Sequence, residues 1–153
     1  MRIEILAVDR LRSAWVREAM DEYLGRIGRY CPVERKDVKR AGDDATAVAS
    51  EGERLLKAAA PGPADELVAL DRVGEALDSA GWAALVGGSA AEGTGRLVFL
   101  VGGAAGLSEA VKRTARRRVS LGPQTLSHEL AQVVLVEQLY RAWTIVRGEP
   151  YHK

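Results

Sequence analysis

The chain is expected to fold as one α/β domain spanning residues 1–153, a three-layer sandwich around a mostly parallel sheet, and three of its stretches carry that expectation. Leu97 to Val101 is a continuous, partly β-branched apolar run, too short for a typical helix and suited to a strand buried on both faces. It runs into Gly102, Gly103 and Gly106, after which Leu107, Val111, Ala115 and Val119 recur at helical spacing: strand, glycine turn, helix. Arg2 to Val8 and Glu66 to Asp71 are further strand candidates separated by helical stretches, and strands that alternate with helices pair in parallel.

Taken in order, Arg2 to Val8 alternates and then turns continuously apolar, as an opening strand would. Asp9 to Arg12 connect it to a helix whose expected N-cap is Ser13 and whose apolar face is Val16, Ala19, Met20, Tyr23, Leu24 and Ile27, ending near Gly28. Val33 to Val38 is short and charge-rich, a strand for a sheet edge. Lys39 to Asp44 form a polar connection. Ala45 to Ala60 is an alanine-rich helix with Val48, Leu55 and Leu56 on its apolar side, stopped by Pro61-Gly62-Pro63. Glu66 to Asp71 is a buried strand whose end should lie beside the glycine turn, with Gly74 opening the next connection. Ser79 is placed to cap a helix to about Val86, and Gly87 to Gly95 lead back to the Leu97 strand.

After the glycine turn, Lys112, Arg113, Arg116, Arg117 and Arg118 are expected to crowd one short helix against the single acid Glu109. This is either a solvated basic face or a surface for phosphates. Val119 to Leu121 supplies a last short strand, Gly122 to Ser127 a loop, and Ser127 or His128 the start of a long helix. From Leu130 to Val146 that helix is apolar nearly all round, more than one sheet face covers, and the simplest cover is a second copy across a two-fold axis.

Composition narrows the function classes. The net charge of +1 gives no global pull towards nucleic acid, so any such binding rests on charge placement. The single cysteine, Cys31, has no partner for an internal disulfide, and the two histidines without paired cysteines argue against a metal site. No stretch resembles a signal peptide or approaches the roughly 20 apolar residues that span a bilayer, so the expectation is a cytoplasmic protein with no membrane attachment.

Ligands in open α/β folds gather at the carboxyl ends of strands, where glycines let the backbone come close. A side chain at Gly102 should therefore intrude on ligand space. The turn is neither Gly-x-Gly-x-x-Gly nor Gly-Lys-Ser/Thr, which disfavours a dinucleotide or triphosphate. A ligand without phosphates, or a connection that binds nothing, both remain open. At the far end, Tyr151, His152 and Lys153 place an aromatic ring, an imidazole and an ammonium together, a set suited to stacking on a base, handling a proton and touching phosphate, or simply a frayed end. Glu137 and Arg141 make an i,i+4 pair on the long helix.

Three motifs carry a resemblance: Val-Gly-Gly-x-x-Gly-Leu at Val101 to Leu107, Val-Glu-Gln-Leu-Tyr-Arg-Ala-Trp at Val136 to Trp143, and Arg-Gly-Glu-Pro-Tyr-His-Lys at Arg147 to Lys153. With Glu51 to Leu56 and Val68 to Asp71 they cover essentially the whole chain, which resembles the RlmH family of SPOUT-class methyltransferases. The resemblance implies methylation of ring nitrogen N3 of a pseudouridine in 23S ribosomal RNA, with S-adenosylmethionine as cofactor, a homodimer and a C-terminal trefoil knot. Carried over by position, Leu70, Gly102, Leu121, Gly122, Pro123, Gln124, Thr125 and Leu126 surround the cofactor, and His128, Arg141, Tyr151 and His152 lie near the substrate. His152 is the first candidate to take the proton from the imide nitrogen and His128 the second; Lys112, Arg113, Arg116, Arg117 and Lys153 are the candidates for RNA contact. Two positions depart from the family pattern: Ser127 stands where a proline is usual before the histidine, and Gln132 where an arginine is usual four residues after it. Both bear on the RNA substrate more than on fold or cofactor. The rival readings are a divergent SPOUT methyltransferase acting on another RNA or a non-RNA acceptor, and a non-catalytic RNA-binding module.

Overall fold

A computed structural model describes residues 1–42 and 44–152; Lys153, expected at the RNA, and Asp43 lie outside the described residues. Ten elements follow one another as β1 Arg2–Val8, α1 Ala14–Ile27, β2 Val33–Val38, α2 Ala45–Ala59, β3 Asp65–Ala76, α3 Ser79–Ala91, β4 Arg96–Val101, α4 Glu109–Thr114, β5 Arg117–Ser120 and α5 His128–Val146. The five strands form one sheet in the order β2-β1-β4-β3-β5, and every neighbouring pair is parallel.

Side-chain alternation builds the layers. Ile3, Ile5 and Ala7 of β1 and Leu97, Phe99 and Val101 of β4 point to one face, where they pack with Val16 and Met20 of α1, Trp82 and Val86 of α3, and Leu135, Leu139 and Trp143 of α5. Leu6 and Val8 of β1 and Val98 and Leu100 of β4 point to the other, against Leu55 and Ala59 of α2 and Val111 of α4. The sheet thus lies between three helices and two, the expected three-layer sandwich. At its amino end two carboxylates are buried but paired: Glu4 takes Lys36 Nζ at 2.7 Å and an Arg96 nitrogen at 2.9 Å, and Glu66 takes Arg117 Nε and Ser89 Oγ, each at 2.8 Å. Stripping either of its partners would leave an uncompensated buried charge.

Several expectations need correction. Gly74 does not end β3 but lies within it: the register against β5 shifts between Leu70 and Glu75, and a Cβ on Gly74 would come 2.7 Å from the Arg118 carbonyl carbon. The cap of α3 is Asp78, whose carboxylate accepts from Gly81 N at 2.7 Å, rather than Ser79. That helix continues past Val86 to Ala91, and at Gly87 it runs close to α5: a Cβ there would sit 3.1 Å from Val146 Cγ2. After the glycine turn, α4 stops at Thr114, so Arg116 lies in the connection and Arg117 and Arg118 belong to β5, which runs to Ser120 rather than from Val119 to Leu121. The flanks of α5 are covered by α1 and α3 in its own layer, leaving Leu130 and Val146 as its exposed large apolar side chains. Its apolar circumference therefore does not by itself require a second copy.

Ser13 precedes α1 as expected, yet its side chain caps nothing within that helix. The carboxylate of Glu129, from the first turn of α5, does the work from outside. It accepts from Ser13 N at 3.1 Å and also from the Arg12 amide and the Ser13 hydroxyl. One anion thereby joins the amino ends of two helices, where unpaired amides and the helix dipole favour it. The Ser13 hydroxyl and the Arg12 amide hold the Glu129 carboxyl below its ordinary range, as Arg96 does for Asp65. Carboxyls depressed in the folded state stabilise it fully above the unfolded carboxyl range and lose that contribution as pH falls through their folded values. Glu129→Gln is therefore expected to cost about 1 kcal/mol at pH 7, in line with loss of a cap, and to flatten the acid dependence of urea midpoints measured from pH 7 to 3. An unchanged midpoint at pH 7 would show that the carboxylate bears no load.

Candidate functional site

The carboxyl ends of β3, β4 and β5 open onto a cavity of about 650 Å³, a size suited to a small organic ligand. Leu70, Gly102, Leu121, Gly122, Gln124, Thr125 and Leu126 line it; Pro123, in the same loop, is exposed and does not. The walls also include His128 and Ala131 at the start of α5. Asp71, Arg72 and Lys112 also belong to them; the strand end at Asp71 was expected beside the glycine turn, whereas Arg72 was not and Lys112 was expected at the RNA. The signal for Arg72 was Gly74: the register against β5 shifts between Leu70 and Glu75, and Arg72 lies in that irregular stretch at the rim.

Asp71 is the fixed charge of this wall. Arg118 NH2 reaches its carboxylate at 2.6 Å and Lys112 Nζ stands 3.8 Å away. Burial pushes the Asp71 carboxyl up, but hydrogen bonds from Arg118 and the Val73 amide, with the Lys112 charge, outweigh it and hold it below the ordinary range.

The glycine turn closes on itself. Gly103 and Gly106 form an isolated antiparallel bridge, the Gly106 N–H donates to Gly103 O at 3.0 Å, and Gly106 has φ +85°. A Cβ on Gly102 would lie 2.5 Å from the Gly106 carbonyl carbon and 2.9 Å from Leu107 N. The expectation that a side chain there intrudes on ligand space is thus corrected. It would first strike the turn's own backbone, and the pocket wall would change as a consequence.

Of the four residues expected near the substrate, three gather and one does not. Arg141 donates to Glu137 at 2.7 Å and stacks its guanidinium over the Tyr151 ring at 4.7 Å. The Tyr151 hydroxyl donates to the same Glu137 oxygen at 3.0 Å, and His152 Nδ1 lies 3.4 Å from Arg141. The tail is therefore folded back on α5 rather than frayed. Burial, with hydrogen bonding to Tyr23 and Glu137, pushes the Tyr151 phenol up, so it stays a neutral donor. His128 stands apart, in the pocket wall. It is separated from Arg141 by thirteen residues of one helix, about 20 Å along the axis.

The basic residues are also dispersed. Arg117 pairs with Glu66 at 2.8 Å, Arg116 stands 3.8 Å from Glu92, and Lys112 pairs with Glu109 at 3.2 Å. Arg113, in the last turn of α4, is exposed. The expected excess over a single acid is corrected by the fold, which brings Glu66, Glu92 and Asp71 to these cations. Conversely, the buried Gln132, where the resemblance expects an arginine, receives a guanidinium from another element: Arg35 Nε of β2 donates to Gln132 Oε1 at 2.7 Å.

Comparison with known proteins gives these positions a context. Residues 1–152 match the family model described as "Predicted SPOUT methyltransferase". The chain is 43% identical over 157 residues to the Ribosomal RNA large subunit methyltransferase H of Pelobacter propionicus, covering 99% of each. It is 43% identical over 158 residues to the protein of the same name from Gemmatimonas aurantiaca, covering 100% of each. Among solved structures, a probable methyltransferase from Bordetella pertussis superposes with a TM-score of 0.56 at 18% identity, covering 92% of this chain and 94% of that one, a likeness of fold.

Gly102→Ala is expected to break the Gly103–Gly106 bridge while sparing β4. Hydrogen exchange should then quicken at the Gly106 amide by ~10-fold or more with β4 still protected, since local opening and global unfolding are separable. Equal protection at Gly106 in both proteins would show that the turn has room to spare.

Proposed function

Because the chain belongs to the SPOUT methyltransferase family, in its ribosomal RNA large subunit methyltransferase H branch, we propose that the cavity at the carboxyl ends of β3, β4 and β5 holds S-adenosylmethionine and that the acceptor is ring nitrogen N3 of a pseudouridine in 23S ribosomal RNA. The chain is a large-subunit ribosomal RNA methyltransferase. The carrying observation is the coincidence of the cavity with the positions that the resemblance assigns to the cofactor.

The residues present fit such a cofactor. Leu70, Val101, Leu121 and Leu126 offer apolar walls for an adenine, and the backbone of the glycine turn and of the 121–126 loop offers amides and carbonyls. Asp71 presents a carboxylate to hydroxyls and Lys112 a cation to a carboxylate. When bound, S-adenosylmethionine supplies a methyl group already activated on a sulfonium, so the protein's work is alignment, exclusion of water and removal of a proton. His152 is the proposed acceptor of the imide proton, its ring held at a 3.4 Å contact loose enough to turn. Tyr151, braced by Arg141 and Glu137, offers a ring face and a hydroxyl to the base. Arg113 and Lys153 are proposed to meet phosphates, together with Arg116 and Arg117 once their carboxylate partners are traded for RNA.

The span of about 20 Å between pocket and tail argues that one chain alone does not complete the site. A homodimer with antiparallel α5 helices would bring each tail to the other subunit's pocket. It is supported by the apolar ends of α5 at Leu130 and Val146 and by exposed Trp15 on neighbouring α1. The C-terminal trefoil knot belongs to the same proposal. What supports it is the crossover from β4 past β3 to edge strand β5, with residues 121–127 returning to α5 across the pocket.

Calorimetric titration of the protein with S-adenosylmethionine, and mass spectrometry of ribosomal RNA from a deletion strain, test cofactor and target separately. Deleting Tyr151 to Lys153 is expected to leave cofactor affinity unchanged and to lower methyl transfer by ~100-fold or more, the scale of a lost proton acceptor and positioning group. Mixing that truncated subunit with one carrying Gly102→Val should restore activity in the heterodimer, which holds one intact composite site. A truncated protein with full turnover, or a folded monomer at micromolar concentration in sedimentation, would overturn the shared site.

A further inference from the structure

Resting on the methyltransferase reading above, the structure assigns His128 the role of a fixed hydrogen-bond donor in the pocket, and Arg35 and Gln132 that of positioning residues that make it one. The side chain of Arg35 is only 9% exposed, and its guanidinium is held on three sides. Its NH2 donates to the Asp9 carbonyl at 3.1 Å, its NH1 meets the Asp37 carboxylate, and its Nε donates to Gln132 Oε1 at 2.7 Å. A guanidinium only donates, so the atom of the Gln132 amide that faces it is the oxygen. The amide nitrogen is thereby turned towards His128, 3.1 Å from ring Nε2 and 3.3 Å from the His128 carbonyl.

An amide nitrogen also only donates, so His128 Nε2 accepts and the neutral ring carries its proton on Nδ1. That Nδ1 is buried without a hydrogen-bond partner among the described residues, in a side chain that lines the pocket. Buried donors in folded proteins are paired. The missing acceptor is a carbonyl or carboxylate oxygen of the molecule seated there. Two sources offer that chemistry: the carboxylate of the methyl donor and the carbonyls that flank the imide nitrogen of the target base. The same accounting removes His128 from the candidates for proton acceptor, since its Nε2 lone pair is taken by Gln132 and its Nδ1 already bears hydrogen.

Long-range proton–nitrogen spectra of the full chain report which ring nitrogen carries hydrogen. The chain has two histidines, so a His152→Gln sample assigns them directly. The expected spectrum places the His128 proton on Nδ1 and perturbs that nitrogen when S-adenosylmethionine or substrate RNA is added. Gln132→Glu offers Nε2 an acceptor and should move the proton there, with a loss of about tenfold or more in ligand binding or turnover, the size of one hydrogen bond to a ligand. A loss in S-adenosylmethionine affinity names the donor carboxylate as partner; unchanged affinity with a raised KM for RNA names the base. Should the buried carboxylate unfold the protein, Arg35→Met, which frees the amide to flip, tests the same chain, with Arg35→Lys as the conservative rescue. A wild-type His128 protonated on Nε2, or a shifted tautomer that leaves affinity and turnover intact, would overturn the assignment. Absence of S-adenosylmethionine binding by the wild-type protein would instead sink the cofactor reading, which the tautomer spectrum reads independently.

Discussion

Strand β4 constrains everything else in this molecule. It lies between β1 and β3, and Leu97, Val98, Phe99, Leu100 and Val101 are all buried, so the sheet must be covered on both faces. In a chain of this length only helices from the intervening segments are at hand to do it. Parallel pairing follows, since a helix that returns the chain to the sheet's starting edge brings the next strand in the same direction. All the carboxyl ends then share one edge. The cavity lies there because the fold leaves its irregular backbone there.

The second organising feature is where charge is spent. Glu4, at the amino end of the sheet, holds Lys36 and Arg96, while Glu66 at the same end and Asp71 at the carboxyl end hold basic residues that the linear sequence presents as a single cluster. Arg118 serves the pocket wall through Asp71, whereas Arg117, its chain neighbour, serves the opposite end through Glu66. Adjacent residues in a strand point to opposite faces, so one basic run is divided between two tasks. Glu129 shows the same economy at the junction of two helices. These carboxylates tie the edges of the sandwich together where the apolar core thins.

The long helix α5 contributes to the pocket wall at one end and holds the folded-back tail at the other. Its first turn presents His128 to the pocket, and its third and fourth brace Tyr151 and His152 through Glu137 and Arg141. A rigid helix fixes the separation better than a loop would. Gln132 is buried one turn after His128 on the same helix. It speaks to Arg35 on a strand far away in sequence.

The sequence by itself determined the alternation of strands and helices, the parallel sheet and the strand–glycine turn–helix unit. Those rest on local periodicity and on glycine at defined places, signals that each stretch carries alone. The motifs also sufficed to identify the family. Only the tertiary structure decided what depends on partners distant in the chain. It decided that Gly74 permits a shifted register instead of ending a strand, and that Gly102 is required by Gly106 and Leu107. It likewise decided that Glu129 takes the place of Ser13 as cap, and that the apolar flanks of α5 are covered by α1 and α3. The hydrogen bond from Arg35 to the buried Gln132 belongs with these, because its two partners lie 97 positions apart in the chain. Hydrogen bonds and close contacts of that span leave no periodic trace in a sequence, since any residue of suitable chemistry can supply them once the fold has brought it near.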